Sequence, residues 1–315
     1  MATSLADLSA SSKGSSRALT AGIGCYLIWG FVPLAFQVMG RLGVGSWELL
    51  AHRTLWGAPT ALALVLIARQ GRQVIAAFSN VRVMAWLLLS SALIAANWTI
   101  FITAVNSGHV LEGSFGYYIT PLLNMASGAL FFRERIDRIG IISMGLAAVG
   151  VGFQALALGH LPLVSLALAV SFGGYGVVRK QVQADAQTGL FIECLLLSLP
   201  GAIYLAWLAN HGLGHFTASR ETALWLMAAG PITALPLALF SWCARRLPLS
   251  TMAFLQFIGP TIGFGIGIAQ HETFTPLHAV SFAFIWGGAA VFAWGAWRRS
   301  RIALRAQDII EAPAE

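Results

Sequence analysis

The stretch "SFGYYITPLLNMASGALFFRERI", Ser114–Ile136, reads as an aromatic-rich half-helix that breaks at Pro121, continues through small residues and ends at Glu134. A second stretch, "AFLQFIGPTIGFGIGIAQHETF", Ala253–Phe274, has the same plan, with Pro260 and Glu272 in the corresponding places. The proline-to-carboxylate separations are 13 and 12 residues. The stretches fall in the fourth and ninth of ten apolar blocks, so the pattern recurs every five blocks. Five is odd. If each block crosses a membrane, the second set enters from the opposite side, and the halves are inverted about a pseudo-two-fold axis in the membrane plane. Matched interruptions of this kind point to a substrate site near the midplane, with simple packing kinks as the alternative.

Composition agrees with a membrane protein. With 57% hydrophobic and 10% charged residues and a mean hydropathy of +0.75, 315 residues carry too little polar surface to cover a soluble globule. Blocks long enough to span hydrocarbon as helices lie at 18–38, 47–68, 82–104, 113–132, 138–157, 161–179, 189–209, 222–243, 250–269 and 277–297. The expected fold is therefore an all-α integral membrane protein of ten transmembrane helices in two inverted five-helix repeats. Residues 1–17 are Ser/Ala-rich and are expected to be a disordered cytoplasmic segment. The apolar run after them is too long for a signal-peptide core, so the first span is expected to stay uncleaved. Residues 298–315 read as a cytoplasmic tail.

The net charge of +7 does not indicate nucleic acid, because the basic residues lie between the apolar blocks and not in one patch. With a cytoplasmic N-terminus, 16 of the 19 Lys and Arg fall on the inner side, which places both termini inside. Cys25, Cys194 and Cys243 are odd in number, far apart and set in apolar segments, so they read as small hydrophobes. No cofactor or metal framework is visible.

The span beginning "GSWELLAHRTLWG" carries Glu48, His52 and Arg53. An ionisable group at the bilayer centre costs about 2.5–3.5 kcal/mol on insertion scales, so these side chains are expected to face the bundle interior. Glu48 and His52 are four residues apart and can pair on one helix face, whereas Arg53 points about 100° from His52 and needs another partner. The topology offers His109 and Glu112 at the outer side, with Glu112 the first-choice partner for Arg53 and Glu48 the second. In the second half, Glu193 takes a corresponding place near the opposite mouth. Glu48, His52, Arg53, His109, Glu112 and Glu193 are thus candidate gating or proton-coupling residues, and a buried polar clamp is the plainer alternative. For the solute cavity the candidates are Asn97, Trp98, Tyr117, Tyr118, Asn124, Tyr175 and Gln256, which combine aromatic faces with amide or phenol groups in otherwise apolar spans.

The segments "CYLIWGFVPLAFQ", "ELLAHRTLW", "NWTIFITAVNSGHVLEGSFGYYITPLLN", "SFGGYGVVRKQV", "AQTGLFIE" and "LPLSTMAFLQFIGPT" together resemble the RarD branch of the EamA family, in the drug/metabolite transporter superfamily. The likeness runs from about Leu19 to Trp297 and departs from the family at Thr120, where Asn usually precedes the proline. It implies two EamA repeats, at 18–157 and 161–297, in a bacterial inner-membrane permease, and the family naming links such proteins to chloramphenicol. The function expected is secondary-active movement of a small organic solute by alternating access, as export of a metabolite or amphipathic drug. Uptake by the same fold, or a receptor or scaffold, is the alternative. Partners would be the solute, membrane lipid and protons as coupling ion, in a monomer or homodimer. No "HExxH", "GxSxG" or "GxxxxGK[ST]" appears, so nothing suggests an enzyme or an ATP-driven pump.

Overall fold

A computed structural model describes residues 5–132, 138–159, 161–244, 247 and 255–311. Among them the chain forms eleven α-helices: α1 (Leu5–Arg41), α2 (Ser46–Ile67), α3 (Gly71–Phe78), α4 (Val81–Asn106), α5 (Val110–Phe132), α6 (Arg138–Leu158), α7 (Leu163–Gln181), α8 (Ala186–Asn210), α9 (Arg220–Ala244), α10 (Ile258–Ala269) and α11 (Pro276–Glu311). Seven contain a stretch long and apolar enough to cross a membrane: α1, α2, α4, α6, α8, α9 and α11. Lipid leaves no solvent to satisfy a backbone amide, so helices are what such apolar runs form.

The helices are turned so that apolar side chains point outward and polar ones inward. Leu66, Ile67, Leu88, Ile141, Val170, Leu199 and Ile203 are exposed, whereas Glu48, Arg53, Asn97, Gln154 and Glu193 are buried. That is the arrangement a bundle adopts when its solvent is hydrocarbon.

Packing pairs recur in a swapped pattern. Helix α2 lies on α8, α5 on α10 and α6 on α11. The most extensive of the other pairs come as couples: α4 with α7 and α9 with α1, α5 with α7 and α10 with α1, α2 with α9 and α8 with α4. Exchanging the first five long helices for the last five maps each pair onto its counterpart.

Several expectations change. Helix α1 extends back to Leu5, through most of the segment expected to be disordered. Helix α3, too short to span, occupies the joint between the second and third blocks and leaves Ile75 and Phe78 exposed. Pro121 does not interrupt α5, whose helix runs through it. Pro33, Pro59, Pro200, Pro231 and Pro236 likewise sit inside helices, so an internal proline marks no special span here. Pro260 lies in the first turn of α10, where a missing N–H costs least, and the chain turns just before it, at Gln256 and Phe257.

Candidate functional site

Two ends of the bundle serve as landmarks. The Gly43 end gathers the α1–α2, α4–α5, α8–α9 and α10–α11 connections, held by Glu48–His215 and Glu272–Val110 contacts. The Gln70 end gathers α3 and the α7–α8 connection, where the amides of Gln70 and Gln73 bond Thr188 and the segment at Asp185.

Helix α2 presents Glu48, His52 and Arg53 inward because α8 and α9 pack on that side, while Leu62, Leu66 and Ile67 face out. Glu48, 3% exposed, accepts the His215 backbone N–H at 2.6 Å, and its second oxygen faces His215 Nδ1 at 2.8 Å. The expected Glu48–His52 pair does not form. His52 instead stacks on Phe216 with ring centroids 5.1 Å apart, and neither of its nitrogens has a hydrogen-bond partner. His215 and Phe216 were missed because they lie in a connection, which a search of the spans passes over.

Arg53 also departs from expectation. Its Nε donates to the Thr233 hydroxyl on α9 at 2.7 Å, and its guanidinium lies 3.9 Å from the Trp98 ring centroid and 5.4 Å from that of Phe36. Glu112 is not its partner, nor is Glu48. A cation over a desolvated indole gains about 2 kcal/mol, less than the insertion cost of the charge. Trp98, a cavity candidate, is thus the platform under Arg53.

Asn97 and Tyr117 come together but use their polar atoms on the protein. The Asn97 amide donates to Leu168 O and Ser171 Oγ, both at 3.0 Å, and accepts from Tyr117 OH at 3.0 Å. They tie α4, α5 and α7. Around them runs a file of rings: Phe36–Phe101 at 6.3 Å, Phe101–Tyr117 at 5.2 Å, Tyr117–Phe172 at 5.8 Å and Phe172–Tyr175 at 5.9 Å.

The file ends at Glu193, 1% exposed on α8. Tyr175 OH donates to it at 3.2 Å and Ser90 Oγ at 2.6 Å, and Arg179 Nε stands 3.8 Å away. Arg179 is one of the basic residues between the apolar blocks and is not among the candidates drawn from the sequence. Its Nη1 has no partner, and its guanidinium packs directly on Gly189.

The remaining candidates lie elsewhere. Tyr118, one residue from Tyr117 and so about 100° around α5, bonds Thr261, stacks on Phe257 and meets Phe282 and Trp286 edge-on. Gln256 is half-buried in the turn before α10. The side chains of Asn124 and Pro121, and Glu134, lie outside the described residues. His109 is exposed and Glu112 half-buried, and both act electrostatically on Glu272, away from Arg53. Glu272 accepts the first N–H groups of α5, Val110 at 2.7 Å and Leu111 at 3.0 Å, as a carboxylate does at the positive end of a helix. Burial nevertheless raises its pKa above the usual carboxylate value, reinforced by Glu112 and opposed by those N–H bonds and His109. Glu48, His52, Arg53, His109 and Glu112 thus fall in separate groups.

A cavity of about 370 Å³ opens at the Gly43 end between Gln37, Arg41, Ser46 and Asn106. It is lined by the tips of α1, α2 and α4, apart from Arg53.

The chain is similar to known proteins. Residues 16–155 match the model of the EamA-like transporter family. A protein of Vibrio cholerae named "Uncharacterized transporter" is 38% identical over 94% of this chain and 98% of its own. "Protein RarD" of Salmonella typhi is 38% identical over 90% of this chain and 97% of its own. "Chloramphenicol-sensitive protein RarD" of Pseudomonas aeruginosa is 29% identical over 86% and 92%. A crystal structure, 19% identical, superposes with a TM-score of 0.60 over 90% of this chain and 97% of that one, which shows a shared fold.

Proposed function

We propose, for a chain that belongs to the RarD branch of the EamA-like transporter family in the drug/metabolite transporter superfamily, that it is a secondary-active permease exporting a small organic solute by alternating access. Its bacterial relatives and apolar helices support a multi-pass protein of the inner membrane. In this reading ten helices cross the membrane, α3 lies at its surface, and the repeats are 18–157 and 161–297. The swapped packing pairs support that division, and the distribution of basic residues supports cytoplasmic termini.

One observation carries the proposal: polar contacts join the two halves at every level of the bundle. Glu48 meets His215 near one end, Arg53 meets Thr233 and Asn97 meets Ser171 in the middle, and Ser90 meets Glu193 toward the other. A scaffold gains little from placing its costly polar groups along one internal seam, whereas a transporter needs a polar route there. Glu193, held by neutral hydroxyls beside Arg179, is the candidate coupling carboxylate, and Glu48–His215 is the candidate gate opposite. Chloramphenicol enters as a candidate solute through the name of the Pseudomonas aeruginosa relative.

The test is counterflow in proteoliposomes, screening chloramphenicol, aromatic metabolites and organic acids with and without a pH gradient. Saturable exchange of at least one solute is the expected result, and in Glu193→Gln that exchange should persist while accumulation driven by the pH gradient is lost. Absence of exchange for every solute, with correctly inserted protein, would contradict it.

A further inference from the structure

We infer that Arg53 is a solute-binding residue and that the transported solute carries a carboxylate on an aromatic or flat apolar body; this rests on the permease reading above. Arg53 is 8% exposed and stands seven residues into α2, well inside the bundle. A guanidinium has five N–H donors and keeps its charge at any physiological pH. One of the five, on Nε, is used on Thr233. Among the described residues Nη1 and Nη2 have no hydrogen-bond partner, and no carboxylate lies within ion-pair distance.

The other acids near the seam are committed. Glu48 is held by His215, Glu193 by Ser90, Tyr175 and Arg179, and Glu272 by the start of α5, with Glu112 beside it. A neutral hydroxyl as sole hydrogen-bond partner leaves the Arg53 charge uncompensated. The missing group is a planar acceptor able to take both Nη donors, which a carboxylate does. What surrounds it defines the rest of the molecule. Trp98 and Phe36 floor the guanidinium, and the rings of Phe101, Tyr117, Phe172 and Tyr175 continue from there to Glu193. Because Asn97 and Tyr117 spend their polar atoms within the protein, the side of Arg53 toward Glu193 presents chiefly ring faces beside a fixed cation.

The test uses the full chain in phosphatidylcholine nanodiscs and equilibrium binding of radiolabelled phenylacetate, benzoate and indole-3-acetate. At least one should bind saturably, and its uncharged amide, of the same shape, should bind at least tenfold more weakly. Arg53→Gln should lose at least tenfold in carboxylate affinity. Arg53→Lys, which keeps the charge and serves as the folded control, should lose less. Equal binding of acid and amide, unchanged binding in Arg53→Gln, or no binding of any of the three acids would overturn the inference. So would displacement of the acid by equimolar inorganic phosphate or by phosphatidylglycerol in the disc, which would assign Arg53 to a phosphate or a lipid headgroup. Carboxylate binding without counterflow of any solute would sink the permease reading and leave the Arg53 site standing.

Discussion

Arg53 shows how far residue chemistry can be read in isolation. A charged side chain in an apolar span announces that it faces inward, and it does. Its partners were not legible, because Thr233 lies 180 residues away and is neutral, so a search for an opposite charge passes over it. The same holds for Glu48, whose partner His215 sits in a connection. Double-mutant cycles in purified protein separate the two accounts. Arg53→Ala combined with Glu112→Ala should be additive to within about 0.5 kcal/mol, as expected for groups that do not touch. Arg53→Ala with Trp98→Ala should show coupling of about 1 kcal/mol or more, the size of a cation–π contact. Glu48→Gln should cost about 1–3 kcal/mol by leaving the buried end of the His215 contact unmet, and most of that loss should vanish in a His215→Ala background. Coupling of Arg53 to Glu112 instead would restore the sequence-based pairing.

At the scale of elements, most apolar blocks match a helix to within a few residues because hydrocarbon thickness dictates length, while α1 and α11 run well beyond theirs and α10 starts only at Ile258. The blocks failed where another rule governs. Helix α3 is too short for that signal, and α5 stays helical across Pro121 because a helix packed among neighbours tolerates a lost amide bond. Helix α9 packs on α2 through Gly230, where an added Cβ would strike the backbone of Trp56. Gly230→Ala should therefore destabilise the protein by about 1–3 kcal/mol, whereas Gly145→Ala on α6, with open space beside it, should be neutral or slightly favourable. The start of α5 gives a pH test. Glu272 holds its proton more tightly folded than unfolded, so its contribution is full below the unfolded value and is lost as pH rises through the folded one. Glu272→Gln should lower the melting temperature by removing a cap worth about 1 kcal/mol, with the gap from wild type narrowing as pH rises above the ordinary glutamate range. A gap that widens with pH would mean that the ionised form is the effective cap.

For the whole molecule, the division into two exchanged sets of five long helices is the one proposed above, and it rests on the paired contacts of α4–α7 with α9–α1 and of α2–α9 with α8–α4, not on the prolines. Which face of the membrane each end meets is a proposal drawn from charge bias. In a background lacking the buried Cys25, Cys194 and Cys243, Ser107→Cys should react with an impermeant maleimide from outside intact cells, and Ser79→Cys only after permeabilisation. The reverse pattern would invert the orientation.

Alternating access is the claim on which the functional account depends, and paired spin-label distances read it most directly. Labels at Ser107 and Leu213 bridge the two halves at the Gly43 end, and labels at Ser79 and Gln183 bridge them at the Gln70 end, all at exposed positions. With the protein in nanodiscs and a transported solute added, the account predicts opposite changes: one pair closes as the other opens. Distances that stay fixed at both ends, or widen together, in variants that still carry out counterflow would contradict it.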